Sequence, residues 1–289
     1  MAAATSSFSL RWYFCLNYWH PTKQELSKIS GLIQQEEKAR ISRFHFLRDA
    51  KAAIVGRLMI RKLINLCTGV PNDGFVLGRD EHNKPFLVNI EPSAGPSTAR
   101  PDNLNFNISH EGAYVVLASD SAVNHIGIDV MDISKPGRGA ASQEEYFRLM
   151  NRQFTPGEWN QIKGPSIHSR ITNFTRFWCL KESFVKATGV GIVIDLRTID
   201  FQTEEDLIYE DLVNSTHVVL NGVPQLGWTF EERFIDVQHI VAVAKSGVSP
   251  CRAFEEVSID FLLLDMNPLQ PEEHRWADDI LTKAVRNAN

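Results

Sequence analysis

Residues 104–131 read LNFNISHEGAYVVLASDSAVNHIGIDVM. Apolar and polar residues alternate over 104–108 and 126–131, and 114–118 is an apolar run. Period-two alternation and short apolar runs mark strands. The stretch therefore predicts three strands, the first closed by a turn at Gly112. That first strand ends in Asn107-Ile108-Ser109-His110, and Glu111 follows. Ser, His and turn amides at a strand end are good partners for a phosphate. A capped strand with a surface His is the plain alternative. In the third strand, alternation puts Ile126, Ile128 and Val130 on one face and Gly127, Asp129 and Met131 on the other. An Asp inside an apolar strand must be paired, protonated or bound to a cation. Magnesium, which takes one or two carboxylates with phosphate oxygens and water, would suit it. So would a structural bond to a turn.

Downstream, 170–188 has helical spacing and contains WCLKESFVKA at 178–187. Phe177, Leu180 and Phe184 form its apolar stripe, while Trp178, Glu182 and Lys186 share another face. A Glu and a Lys so placed can hold a metal or base and a phosphate together. They can equally be an ordinary i,i+4 ion pair worth about 0.3–0.5 kcal/mol. Shorter helices are expected near 143–152 and 155–163, and strands near 192–202, 216–221, 226–233 and 239–245. KPGRG at 135–139 reads as a loop.

Upstream, 9–18 reads as an aromatic-rich strand. Residues 30–65 are expected to be mostly helical, with Ser30 as a cap and Gly69 and Pro71 as the stop. Two short strands near 75–77 and 85–88 flank the polar turn RDEHNK, and 91–102 is a Pro- and Ser-rich loop. An acidic helix leading to a Phe-rich junction and a second helix occurs at 30–65 and again at 155–188, which fits two similar lobes. After 246 no clear pattern appears until 276–286, so a tail is expected.

The composition sets limits. A 289-residue chain with 43% hydrophobic and 22% charged residues builds a large core. A net charge of −5 does not suggest a nucleic-acid binder. Basic residues do cluster between Lys38 and Lys62, which suits either an acidic ligand or a solvated helix face. Cys15, Cys67, Cys179 and Cys251 are widely spaced, against both a zinc site and a disulfide framework. The apolar stretch from Phe8 is broken by Arg11 and follows no basic segment. No run reaches the roughly 18–20 apolar residues of a membrane span. Cytoplasmic residence without membrane association is expected.

In order and spacing, a strand ending NISH, then GIDV, then a helix carrying W-x-x-K-E-S-F-x-K-A resembles the Sfp-type 4′-phosphopantetheinyl transferases. EEKARISRFHFLRDAKAAIVGRLMIRKL at 36–63 extends the likeness toward the broad-specificity animal branch that serves aminoadipate-semialdehyde dehydrogenase. The likeness covers about residues 8–245. It implies an α+β fold of two similar α/β lobes in one chain, a pseudo-dimer, with lobes at 8–122 and 123–247 and a tail at 248–289. It implies magnesium-dependent transfer of the phosphopantetheine arm of coenzyme A to a serine of an apo acyl carrier protein or carrier domain. Fatty-acid synthase, mitochondrial carrier and aminoadipate-semialdehyde dehydrogenase carriers are the partners of such relatives. Two fused lobes suggest a monomer.

By position, the resemblance assigns Arg40, then Arg79, Asp80, Glu81, His82, Asn83 and Lys84, and then Asn107, Ile108, Ser109 and His110 to coenzyme A. Asp129 and Glu182 would hold magnesium, Lys186 would contact the pyrophosphate, and Glu182 would take the serine proton. One departure matters. Many bacterial members carry a second acidic residue two positions after the Asp, where this chain has Met131, and a thioether is a poor magnesium ligand. The animal relatives share that loss and use a Gln just after the His. Here that residue is Glu111, and Glu111 or water would complete the shell of Asp129 and Glu182.

Overall fold

The computed structural model describes residues 8–81, 83–90, 104–137, 142–189, 194–247 and 249–285. In chain order they form β1 (Ser9–Cys15), α1 (Lys23–Leu32), α2 (Gln35–Ser42), α3 (Leu47–Thr68), β2 (Phe75–Arg79), β3 (Pro85–Ile90), β4 (Asn105–Glu111), β5 (Tyr114–Asp120) and β6 (His125–Asp132). There follow α4 (Gln143–Leu149), α5 (Pro156–Ile162), α6 (Ile167–Thr188), β7 (Ile199–Gln202), β8 (His217–Leu220), β9 (Val223–Pro224), β10 (Trp228–Asp236), β11 (His239–Ser246), β12 (Glu255–Glu256), α7 (Ile259–Leu263) and α8 (His274–Leu281). This is an α+β fold. The described residues divide into two compact units that interleave along the chain. One takes the chain through Arg11, then 104–112 and Ala118–Phe254; the other takes the rest.

In the first unit, β10, β11 and β6 form an antiparallel sheet in that order. Asp129 stands opposite Ala242 and Gly127 opposite Ala244. The long helix α6 lies on β6 and β11. Its stripe of Phe177, Leu180 and Phe184 is buried in an aromatic core with Phe174, Phe201 and Phe230. The helix can come this close because β6 offers no side chain at its tightest point. A Cβ on Gly127 would stand 2.1 Å from the Ser183 carbonyl oxygen and 2.4 Å from the Ala187 nitrogen. Cys179, fully buried, lies with its Sγ 3.3 Å from the Asp129 carbonyl oxygen and 3.6 Å from that of Ile240. The strand expected over 192–202 begins only at Ile199, because Asp195 caps a short 3-10 turn at Leu196–Thr198; residues 190–193 lie outside the described set. Residues 138–139 of the expected 135–139 loop also lie outside it.

In the second unit the helical region starts earlier than expected. Thr22, not Ser30, is the cap of α1, its side chain accepting from the Glu25 amide. Ser30 sits inside the helix, where its Oγ donates to the Ser27 carbonyl at 2.5 Å and accepts from the Glu273 amide at 2.7 Å. The expected tail is therefore no tail. Residues 255–285 pack into this unit, with Leu262, Trp276, Ala277 and Ile280 buried. Trp12 and Tyr13 pair in parallel with Glu255 and Glu256. The Leu47 amide donates to the Ala284 carbonyl at 2.9 Å. The α7 and α8 segments are too short for periodicity to stand out, so their apolar residues looked isolated. The expected loop at 91–102 falls outside the described residues.

Candidate active site

Strand alternation on β4 turns Asn107, Ser109 and Glu111 toward β6. Asn107 Oδ1 accepts the Ile128 amide at 2.9 Å. Ser109 Oγ donates to Asp129 Oδ1 at 2.8 Å. Glu111 Oε1 accepts the Asp132 amide at 3.5 Å. Ile108 and His110 belong to the other face of β4, and His110 is exposed. The strand ends at Gly112, whose φ of +55° suits glycine, and where a Cβ would come within 2.2 Å of His239 Nε2.

Helix α6 brings the remaining groups. Lys186 Nζ donates to Asp129 Oδ1 at 2.6 Å and to Ser109 Oγ at 2.8 Å. It thus pairs across to β6 rather than forming the i,i+4 ion pair that the sequence also allowed. Asp129 is 5% exposed, and its Oδ2 is buried with no hydrogen-bond partner among the described residues. Glu182, one turn before Lys186, is half-buried. Burial pushes its carboxyl above the usual 4.5, the charge of Asp129 raises it further, and Lys186 opposes both. Two carboxylates and an ammonium therefore share one field.

The other expected ligand is not brought in. Glu111 makes an ion pair with Lys135 at 3.2 Å. Among the described residues no group of three or more His, Cys, Asp or Glu is placed to hold a metal ion. What remains, Asp129 and Glu182, still fits magnesium, which needs only one or two protein carboxylates. The buried Oδ2 of Asp129, with no hydrogen-bond partner among the described residues, is a donor atom suited to such an ion.

The residues expected at 40 and 79–84 lie in the second unit and form their own cluster. Glu37, 5% exposed, is its centre. Arg40 Nε donates to its Oε2 at 3.0 Å, and Arg79 Nε donates to its Oε1 at 2.9 Å. The buried Arg57 also donates to Oε1. Burial pushes the Glu37 carboxyl up, but the Arg79 hydrogen bond and the charges of Arg57, Arg40 and Arg79 outweigh it, and the net shift is downward. The turn after Arg79 is tight: Arg79 Nη1 donates to the Asn83 carbonyl at 2.7 Å, and the Lys84 amide to Asp80 Oδ1 at 2.8 Å. Burial lowers the Lys84 pKa, with Asp80 opposing. Glu81 is exposed, Asn83 has a φ of 63°, and His82 lies outside the described residues.

Three groups escaped the sequence reading. Glu37 sat in an acidic first turn that looked like helix-start chemistry. Lys181, beside Glu182, is buried and binds Glu158 Oε2 at 2.9 Å and the carbonyls of Leu196 and Ile199 at 2.8 and 2.6 Å. Cys179 anchors α6. Lys181 and Cys179 had no local signal, because their partners are distant in sequence, while the i,i+3 pairing of Glu37 with Arg40 looks like an ordinary helix-surface ion pair.

A strand-borne Asp–Ser pair capped by a helix-borne Glu and Lys defines a class. Residues 125–241 match the model of the 4′-phosphopantetheinyl transferase superfamily, and residues 17–122 match that of the 4′-phosphopantetheinyl transferase N-terminal region. The chain belongs to the 4′-phosphopantetheinyl transferase superfamily and is a transferase. It is 42% identical over 242 residues to the L-aminoadipate-semialdehyde dehydrogenase-phosphopantetheinyl transferase of Xenopus laevis, covering 82% of this chain and 76% of that protein. The human protein of the same name is 41% identical over 237 residues, 81% of this chain and 74% of its own. The 4′-phosphopantetheinyl transferase of Bacillus subtilis is 28% identical over 182 residues, 63% of this chain and 71% of its own. Members of this family move phosphopantetheine from coenzyme A to carrier proteins. Among the described residues no helix is long and apolar enough to cross a membrane.

Proposed function

We propose that this chain transfers the 4′-phosphopantetheine group of coenzyme A to a serine of acyl carrier proteins or carrier domains, with magnesium, and releases 3′,5′-adenosine bisphosphate. The observation that carries the reading is the buried Oδ2 of Asp129, without a hydrogen-bond partner among the described residues, beside Ser109, Lys186 and Glu182. Asp129 and Glu182 would hold the ion. When bound, magnesium supplies charge neutralisation to the pyrophosphate oxygens.

The chain's own groups do the rest. Lys186 is poised to stabilise charge on the pyrophosphate, and its bond to Asp129 keeps it oriented before substrate arrives. The serine oxygen bonds to the β-phosphorus, and the bond from that phosphorus to the oxygen of the leaving 3′,5′-adenosine bisphosphate breaks. The serine proton passes to the Glu182 carboxylate. Arg40 and Arg79 receive the coenzyme's 3′-phosphate, and His110, exposed on the outer face of β4, contributes to coenzyme binding. No protein nucleophile is needed, which agrees with a fully buried Cys179 whose thiol burial pushes well above its usual range.

An aminoadipate-semialdehyde dehydrogenase carrier is the proposed acceptor on the strength of the animal relatives' name, and fatty-acid synthase and mitochondrial carriers are proposed beside it from the motif resemblance alone. A cytoplasmic location is part of the reading, supported by four free cysteines. The test is incubation with coenzyme A, magnesium and several apo-carriers, read by intact mass. Carrier mass should rise by one phosphopantetheine group, and Asp129→Asn should abolish the gain. No gain on any carrier would refute the reading.

A further inference from the structure

Two half-exposed arginines in the second unit share a buried carboxylate that the fold alone does not require. Side-chain exposure is 6% for Glu37, 1% for Arg57, 34% for Arg40 and 26% for Arg79. One buried guanidinium suffices to neutralise one buried carboxylate, and Arg57 is there to do it. The recruitment of Arg40 and Arg79 goes beyond that need and leaves the cluster with a surplus of two positive charges. Among the described residues the Arg40 guanidinium has no hydrogen-bond partner other than Glu37, through Nε, so its Nη edge is available. Arg79 is held at both ends, by Glu37 and by the Asn83 carbonyl.

We propose that Glu37 is a positioning residue, which fixes the guanidiniums of Arg40 and Arg79 in the orientation that receives the 3′-phosphate of coenzyme A. This rests on the proposed function, in which the pyrophosphate is met by Lys186 and the metal carboxylates. The terminal phosphomonoester is then the anionic group left for paired guanidiniums, whose planar forks match phosphate oxygens. A free arginine loses much side-chain entropy when it binds an anion. One already tied to a buried carboxylate has lost that freedom before binding, and the difference appears as affinity. Glu37 stays ionised through this, because the three guanidiniums hold its carboxyl below the usual range despite its burial.

The experiment measures KM and kcat for coenzyme A and for dephospho-coenzyme A, and calorimetric binding of 3′,5′-adenosine bisphosphate. The proteins are the parent, Glu37→Gln, Arg40→Ala and the double variant Glu37→Gln/Arg57→Met. The double variant removes the buried cation together with its partner, so the fold survives where the single change leaves Arg57 uncompensated. Glu37→Gln and the double variant should raise KM for coenzyme A about tenfold, equivalent to about 1.4 kcal/mol. KM for dephospho-coenzyme A and kcat should stay within about twofold, and adenosine bisphosphate affinity should fall in step with coenzyme A. If Arg40→Ala raises KM and the double variant does not, Glu37 serves the fold alone and the proposal is overturned. If Arg40→Ala leaves both KM values unchanged, the assignment of this cluster to the coenzyme fails as well, and the two failures are distinct.

Discussion

Gly127→Ala adds one methyl group where β6 and α6 approach most closely. Its carbon would stand 2.1 Å from the Ser183 oxygen, 2.4 Å from the Ala187 nitrogen and 3.0 Å from the Ala187 Cα. All are backbone atoms of α6, so no rotamer change relieves the clash. Non-bonded contact is comfortable near ~3.5 Å, so the helix must retreat by about 1 Å. Overpacking of this kind costs roughly 1–3 kcal/mol, and the melting point of a chain this size should fall by about 2–10 °C. The larger effect is on chemistry. Glu182 and Lys186 move with α6 while Asp129 stays on β6, and a misplacement of about 1 Å costs roughly a hundredfold in rate. Thermal melts followed by circular dichroism, paired with intact-mass initial rates on the folded fraction, separate the two effects. A variant that melts with the parent and transfers within about twofold of it would refute the account of how α6 and β6 hold the site.

Other expectations follow from the same geometry. Asn107→Leu removes the acceptor of the Ile128 amide and should cost about 1–3 kcal/mol in denaturant unfolding; Asn107→Asp, which keeps the oxygen, should recover most of it. Lys186→Met should lower turnover at least tenfold, since it removes the ammonium bonded to Asp129, and a rate near that of the parent would remove Lys186 from the chemistry. Burial pushes the Cys67 thiol up to about 12 from 9.0. A raised folded value means that stability is full below pH 9 and falls as pH rises from there toward the folded value, so Cys67→Ala should flatten the alkaline loss in chemical denaturation. For Glu37 the sign is opposite. Its folded value lies below 4.5, so its contribution is full above that pH and is lost as pH falls through the folded value; acid titration of Glu37→Gln/Arg57→Met should lack that step.

Much of the site was legible because it rests on strand and helix periods. Asp129 stood out as a carboxylate in an apolar strand, and the spacing from Trp178 to Lys186 put Glu182 and Lys186 on one face. What periodicity cannot give is the partner. Lys186 bonds to a residue 57 positions away, and nothing local distinguishes that from an i,i+4 pair with Glu182. Alternation on β4 was equally readable, yet the resemblance assigned 107–110 as a block to the coenzyme. In the fold, Asn107 and Ser109 spend their side chains on β6, and His110 belongs to the opposite face. Glu111 follows the inward alternation but ends on Lys135. Buried charge was the least legible: Arg176 on α6 pairs with Glu232 on β10 at 2.7 Å, where a strand reading expects an apolar residue.

The pairing of Trp12 and Tyr13 with Glu255 and Glu256 sets an order for biosynthesis. At roughly 5–20 residues per second, the ribosome makes the partner strand about 10–50 s after β1. During that interval the faces of α1 and α2 that receive Trp276, Ala277 and Ile280 have nothing to cover them. The first unit can gather its sheet and α6 from segments made by residue 254, whereas the second also needs β12, α7 and α8, which are made after them. A nascent chain of this kind should dwell on chaperones that hold exposed apolar surface. A premature stop ahead of α8 would leave that surface open permanently, and should yield a degraded product rather than a shorter enzyme.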